Sequence, residues 1–360
     1  MRTITVQALD DIALGAAVLG TGGGGDPYIG KLMSQAALRQ HGDVTMLDPA
    51  ELDDDDLIVP TAMMGAPTVM LEKIPRGSEI VTAFTSLEKY LGRKVRATMS
   101  AEAGGLNSTT PFAVAAELGI PIVDGDMMGR AFPELQMCIP TLYGVTATPM
   151  AIADEKGNNA IINTVSNLWT ETLARTLTVD MGCVAMIALY PMTGRQVKDY
   201  CCLQTISILE RIGVTLRQAR ADHRDPVEAV RAVTNGAVIW RGKVADVERR
   251  TETGFARGVA AIAGVDEYAG TLRVSFQNEF LVAQTDDRVL ATTPDLITML
   301  DAETGEPITT EGLRYAFRVV VLAMPGDPRW RTPEGLKVVG PGYFGYDIPY
   351  IPVEERLAAR

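Results

Sequence analysis

Residues 94–126, KVRATMSAEAGGLNSTTPFAVAAELGIPIVDGD, decide the fold. A β-branched run ends near Ala101 and a polar glycine loop follows. Pro111 then stands at the start of an apolar helix that reaches about Leu118, and IPIV reads as the next short strand. The same alternation extends to both sides. Asp10 and Asp11 cap an apolar helix over about 12–19, and residues 28–40 read as a second helix with Ile29, Leu32, Met33, Ala36 and Ala37 on one face. DVTMLDP, DDDDLIVPTAMMG and SEIVTAF (78–84) read as further strands. Short strands separated by helices predict an α/β domain with a parallel or mixed sheet, whose ligands gather where strands end and loops begin.

The pattern changes twice further along. From about 164 to 233 it is mostly helical around the apolar run GCVAMIALYP. From Gly236 onward it turns strand-like, in AVIWRGKVADVERR, TLRVSFQNEFLVAQ, RVLATTPDLITMLD and YAFRVVVLA. The expected organisation is an N-terminal α/β domain over 1–165 and a C-terminal domain over 166–355, helical at 166–233 and mainly β at 236–350.

Bulk properties narrow the function. The chain has 360 residues and a net charge of −12. That charge argues against nucleic acid, which is bound by neutralising phosphates, and against an anionic membrane surface. Asp10 and Asp11 break the apolar N-terminal stretch, so it reads as structure rather than a leader, and no run of about 18 apolar residues predicts a membrane helix. Four cysteines without a CxxC pair read as reduced thiols. The expectation is a cytoplasmic protein acting on a small molecule, with self-association as a base-rate expectation for a chain of this kind.

Three segments carry candidate chemistry. Thr21-Gly22-Gly23-Gly24-Gly25-Asp26 lies between two helices, and consecutive glycines let the backbone approach a ligand and aim amides at an anion. It lacks the Gly-Lys-Ser/Thr of a phosphate loop and the spacing of a dinucleotide fingerprint, so no nucleotide is expected. The competing reading is a tight helix–helix connection. In Glu102–Pro111, one hydroxyl is explained as a helix cap, which leaves Glu102, Asn107, Ser108 and Thr109 as candidates for binding. In Asp124–Gln136, Asp124 and Asp126 follow a strand one residue apart and so face the same side. Two such carboxylates could hold a divalent metal or activate water, with Arg130 anchoring a substrate carboxylate and Glu134 adding an acid. The alternative makes Asp126 a cap and Arg130 a salt-bridge partner.

Histidine is scarce. With only His41 and His223, a three-histidine zinc site is impossible in one chain, and His223 is the candidate third ligand or proton donor. In the β region Gln277-Asn278-Glu279 breaks an alternating strand with polar residues, and Asn278 joins the candidates for substrate contact across a cleft.

LGTGGGGDPY, EAGGLNSTTPFAVAAELGIPIVDGD, DGDMMGRAFPELQM and QNEFLVA together resemble the S-methyl thiohydantoin desulfurase family, over about residues 8–355. The resemblance implies an N-terminal α/β domain and a β-rich C-terminal domain. It also implies a hydrolase that replaces the S-methylthio group of a thiohydantoin by water, giving a hydantoin and methanethiol. The alternatives are a hydantoinase-like cyclic-amide hydrolase and a non-catalytic small-molecule-binding partner of a hydantoinase.

Overall fold

The computed structural model describes residues 1–358 apart from 67, 68, 70–72, 74 and 253. Its N-terminal sheet runs β1(Arg2–Ile4), β2(Val44–Leu47), β5(Ile122–Val123), β4(Ala97–Ser100), β3(Leu57–Gly65), β9(Val184–Ala188), β7(Met150–Ala153), β8(Asn159–Ile162) in spatial order. The short β10(Met192–Thr193) pairs with β3. The centre, β2-β5-β4-β3, is parallel and the flanks are antiparallel, so the sheet is mixed as expected. Strands buried on both faces are apolar throughout rather than alternating, and β3, LIVPTAMMG, shows this.

The C-terminal sheet is wholly antiparallel, in the order β16(Val289–Thr292), β15(Glu279–Gln284), β14(Thr271–Gln277), β13(Phe255–Gly264), β12(Ala237–Glu252), β19(Arg318–Met324), β17(Leu296–Asp301), β18(Pro307–Ile308). A small ribbon pairs β6(Gly125–Asp126) with β11(Cys202–Leu203).

Helices join the two halves. α1(Ala8–Leu19) and the long helix of residues Thr205–Ala221 pack so closely that a Cβ on Gly15 would overlap the Leu209 carbonyl, and one on Gly213 the Asp11 carbonyl. Arg217 clamps Asp11 across this contact at 2.8 Å. Val18, Ile212, Leu216 and Val227 then meet Leu300, Val320 and Leu322 of the second sheet in one core.

Three local readings are corrected. SEIVTAF is not a strand but the start of α3(Glu79–Leu91). Ile80, Ala83, Phe84 and Leu87 recur at helical spacing and are buried, and Gly92 ends the helix in the left-handed region at φ 61°. GCVAMIALYP is the strand β9, and it joins the first sheet although it follows residue 165. α2(Pro27–His41) buries Gly30, Ser34, Gln35 and Leu38, while Leu32 is exposed. Ser34 faces inward because its hydroxyl donates to the Thr109 carbonyl at 2.6 Å.

Candidate functional site

The carboxyl ends of the parallel strands β3 and β4 open into a cleft. Ala62–Gly65 form one wall, and Ala101 and Glu102 follow directly from β4. Phe132, Glu134, Leu135 and Cys138 form a second wall. Beyond α4(Pro111–Leu118), α5(Asn167–Asp180) contributes Arg175 and β9 contributes Ile187. The lid is the Asn278-Glu279 corner between β14 and β15, contributed by the second sheet. The enclosed space is about 570 Å³, counting the part open to solvent. Open α/β sheets hold ligands at this end of their strands.

Glu102 is the most constrained acid in it. Asn107 Nδ2 donates to Oε1 at 2.7 Å and the Phe132 N–H to Oε2 at 3.2 Å. Asn107 is itself fixed to β3, accepting from the Met63 N–H at 2.6 Å and donating to the Met63 carbonyl. Burial raises the Glu102 pKa to about 7 against these hydrogen bonds; the nearby Asp126 carboxylate pushes the same way and Arg130 opposes. Glu134 also lines the cleft, where Tyr343 donates to it at 2.7 Å and Gln136 lies against the same oxygen.

The Asp124–Asp126 pair does not face the cleft. Asp124 receives the Ser207 N–H at 3.0 Å and the Ser207 hydroxyl. Asp126 receives the Met128 and Gly129 N–H groups at 2.8 and 2.7 Å and the Thr205 hydroxyl at 2.8 Å. Asp124 therefore caps the helix α6(Thr205–Ala221), whose own N-cap residue Gln204 offers no side-chain bond, and Asp126 ties its own loop to the Thr205 side chain at that helix start. Burial lifts Asp126 to about 6. His223 is exposed just beyond the other end of α6, so at about 1.5 Å per residue it stands more than about 20 Å from the acids it was expected to join. Among the described residues no group of three or more His, Cys, Asp and Glu side chains is placed to hold a metal ion. The acids proposed as metal ligands have their oxygens taken by protein donors.

Arg130 is corrected as well. It is 1% exposed, and its donors reach the Ala131, Pro294, Asp295 and Phe280 carbonyls and the Thr21 hydroxyl. With five N–H groups spent on five acceptors, none remains for a substrate carboxylate. It ties the two sheets together instead.

The glycine loop is read more by packing than by amides. Gly22 has no room for a Cβ beside the Phe280 ring, Gly23 none beside the Glu279 carboxyl, and Gly24 none beside Gly104. Only Gly24 of the four lines the cleft, and its N–H serves Glu279. Thr21, Gly22 and Gly24 otherwise bond to Phe280, Thr310 and Leu106 through their carbonyls. Asp26 caps α2. Ser108 and Thr109 bond to backbone carbonyls away from the cleft. Asn278 lines the cleft, but its Oδ1 is held by the Ala256 N–H at 2.8 Å.

Arg175 and Cys138 were not singled out from the sequence, and of the polar group Gln277-Asn278-Glu279 only Asn278 was taken as a site candidate. Glu279 had a signal, because it begins a strand whose next four residues, Phe280–Ala283, are buried and apolar. Arg175 had none: a lone arginine bonded to Glu171 four residues back looks like any surface helix pair, yet it is the one cation among the described residues lining the cleft. Cys138 is an inert thiol, its pKa driven up by burial.

A model of the S-Me-THD-like N-terminal domain matches residues 7–164, and one of the S-Me-THD-like C-terminal domain matches 165–353. The chain belongs to the S-methyl thiohydantoin desulfurase-like family. A crystal structure of a protein from Chromobacterium violaceum has the same fold, with a TM-score of 0.82 over 98% of this chain and all of that one, at 22% identity. No curated protein matches the chain. Among the described residues of this family member no helix is long and apolar enough to cross a membrane.

Proposed function

We propose that the chain is a hydrolase that replaces the S-methylthio group of a thiohydantoin-type ring by water, releasing methanethiol. The observation that carries this reading is Glu102, a carboxyl with a pKa of about 7 fixed in a largely apolar cleft at the strand ends. A group poised near the working pH can take a proton from water and return it to the leaving sulfur. The Asn107 and Phe132 donors aim it, so little reorganisation is needed at the moment of reaction.

The rest of the cleft suits such a substrate. Met63, Met64 and Met128 offer soft thioether surface to a methylthio group. Arg175, stacked over the Phe255 ring at 4.3 Å, offers a cation for an acidic side arm. The family membership supports the substrate class. The test is release of free thiol from an S-methylated thiohydantoin bearing a propionate arm, followed with a colorimetric thiol reagent. Turnover that saturates with substrate is expected. No thiol from folded protein, with or without added divalent cations, would overturn the proposal.

A further inference from the structure

We propose that Glu279 is a second catalytic residue, whose Oε2 donates a hydrogen bond and then a proton to the ring nitrogen next to the reacting carbon. This rests on the function proposed above. Glu279 is only 2% exposed and lines the cleft, and its Oε2 has no hydrogen-bond partner. A bare buried polar atom is rare because it forfeits its hydration without replacement, and this one belongs to a residue that lines the cleft.

The surroundings are built around this carboxyl. Gly23 leaves the space that its Oε1 occupies, and the N–H groups of Gly24 and of Glu279 itself lie close to the carboxyl. Asn278, at φ 58°, turns the chain from β14 into β15 so that Glu279 enters the first domain's cleft. The Asn278 N–H and Oδ1 both bond to Ala256, which holds that left-handed conformation in place. The charged groups facing Glu279 are Glu102 and Arg130, with Glu134 and Arg175 further along the cleft walls. Burial, and then the Glu102 carboxylate, raise the Glu279 pKa well above the usual carboxylate range and so favour its protonated form, against the pull of Arg130. A neutral acid presents a donor, so the missing partner is an acceptor such as an imine-type nitrogen.

The proton balance then closes. As water forms the new C–O bond, Glu102 takes one of its protons and Glu279 gives its own to the ring nitrogen. When the C–S bond breaks, the electron pair leaves on sulfur and the thiolate takes the proton from Glu102. The proton of the new hydroxyl returns to Glu279 as the carbonyl forms. One water is consumed and one thiol released, with both acids restored.

The test titrates Glu102→Gln protein, in which turnover is expected to be slow, calorimetrically with the two N-methyl isomers of the S-methyl thiohydantoin. Each isomer keeps an imine nitrogen on a different side of the reacting carbon. An affinity difference of tenfold or more is expected, and it should vanish when Glu279→Ala is added. Equal affinities, or a difference that survives Glu279→Ala, would overturn the role of Glu279 while thiol release by the unaltered protein still upholds the hydrolase. If neither isomer binds and no thiol is released, both readings fall. The isosteric Glu279→Gln, its folding checked by thermal melting, keeps a donor but no transferable proton. It should bind the preferred isomer normally and lose turnover by about 10² or more; unchanged turnover would remove the proton transfer.

Discussion

At the scale of single residues, the division of labour among the acids follows from what their oxygens already touch. Glu102 is fixed but its proton is mobile near neutrality, whereas Asp124 is committed to Ser207. Because Glu102 must be ionised to accept a proton and its pKa is raised to about 7, turnover should climb as pH rises through about 7 and fall away below it. A rate–pH profile without an acid limb in that range would remove Glu102 as the base. Arg175→Ala should raise KM for a substrate with a carboxylate arm while changing KM little for the arm-less ring. A comparison of the two substrates reads this directly.

At the scale of elements, the start of α6 explains why the two aspartates of the DGD segment are not at the cleft. Asp124-Gly125-Asp126 offers two carboxylates on one side of an extended chain, and from sequence alone that pattern serves a metal, a water or a helix start equally well. The deciding partners, Thr205 and Ser207, are 79 and 83 residues further on, which no local pattern reveals. Ser207→Ala should therefore destabilise the protein by about 1–3 kcal/mol, the cost of leaving a buried acceptor short of its donor. Turnover per folded molecule should change little. Denaturant titration beside kinetics separates the two effects. The strands and helices were largely legible because burial imposes a period on them. SEIVTAF misled because it holds the β-branched run Ile80-Val81-Thr82, and the helical spacing shows only when the segment is followed to Leu87 and Gly92.

At the scale of the whole molecule, the cleft is a joint product of two sheets, and the groups that join them were the hardest to read. Arg130 looked like an anion receptor because it stands in a polar motif. Its acceptors, the carbonyls of Phe280 in β15 and of Pro294 and Asp295 in the turn between β16 and β17, leave no sequence signature. Arg130→Ala should cost more than about 3 kcal/mol, since several buried carbonyls lose donors at once. Buried carboxyls also set the pH dependence of stability. Glu102, Asp126 and Glu311 have folded pKa values raised to about 7, 6 and 7. The stabilisation from their protonated forms is complete below their unfolded values near 4–4.5 and is lost as pH rises through about 6–7. Denaturation midpoints should therefore fall between pH 5 and pH 8, and a rise over that interval would contradict the assignment. The central claim, that the chemistry sits at Glu102 in the strand-end cleft, is met most directly by thiol release from the S-methylated thiohydantoin with Glu102→Gln and Asp124→Asn protein side by side. Loss of turnover by about 10² or more in the first, with the second within a few-fold of the unaltered chain, is the predicted result. The reverse order would contradict the account and return the chemistry to the DGD segment.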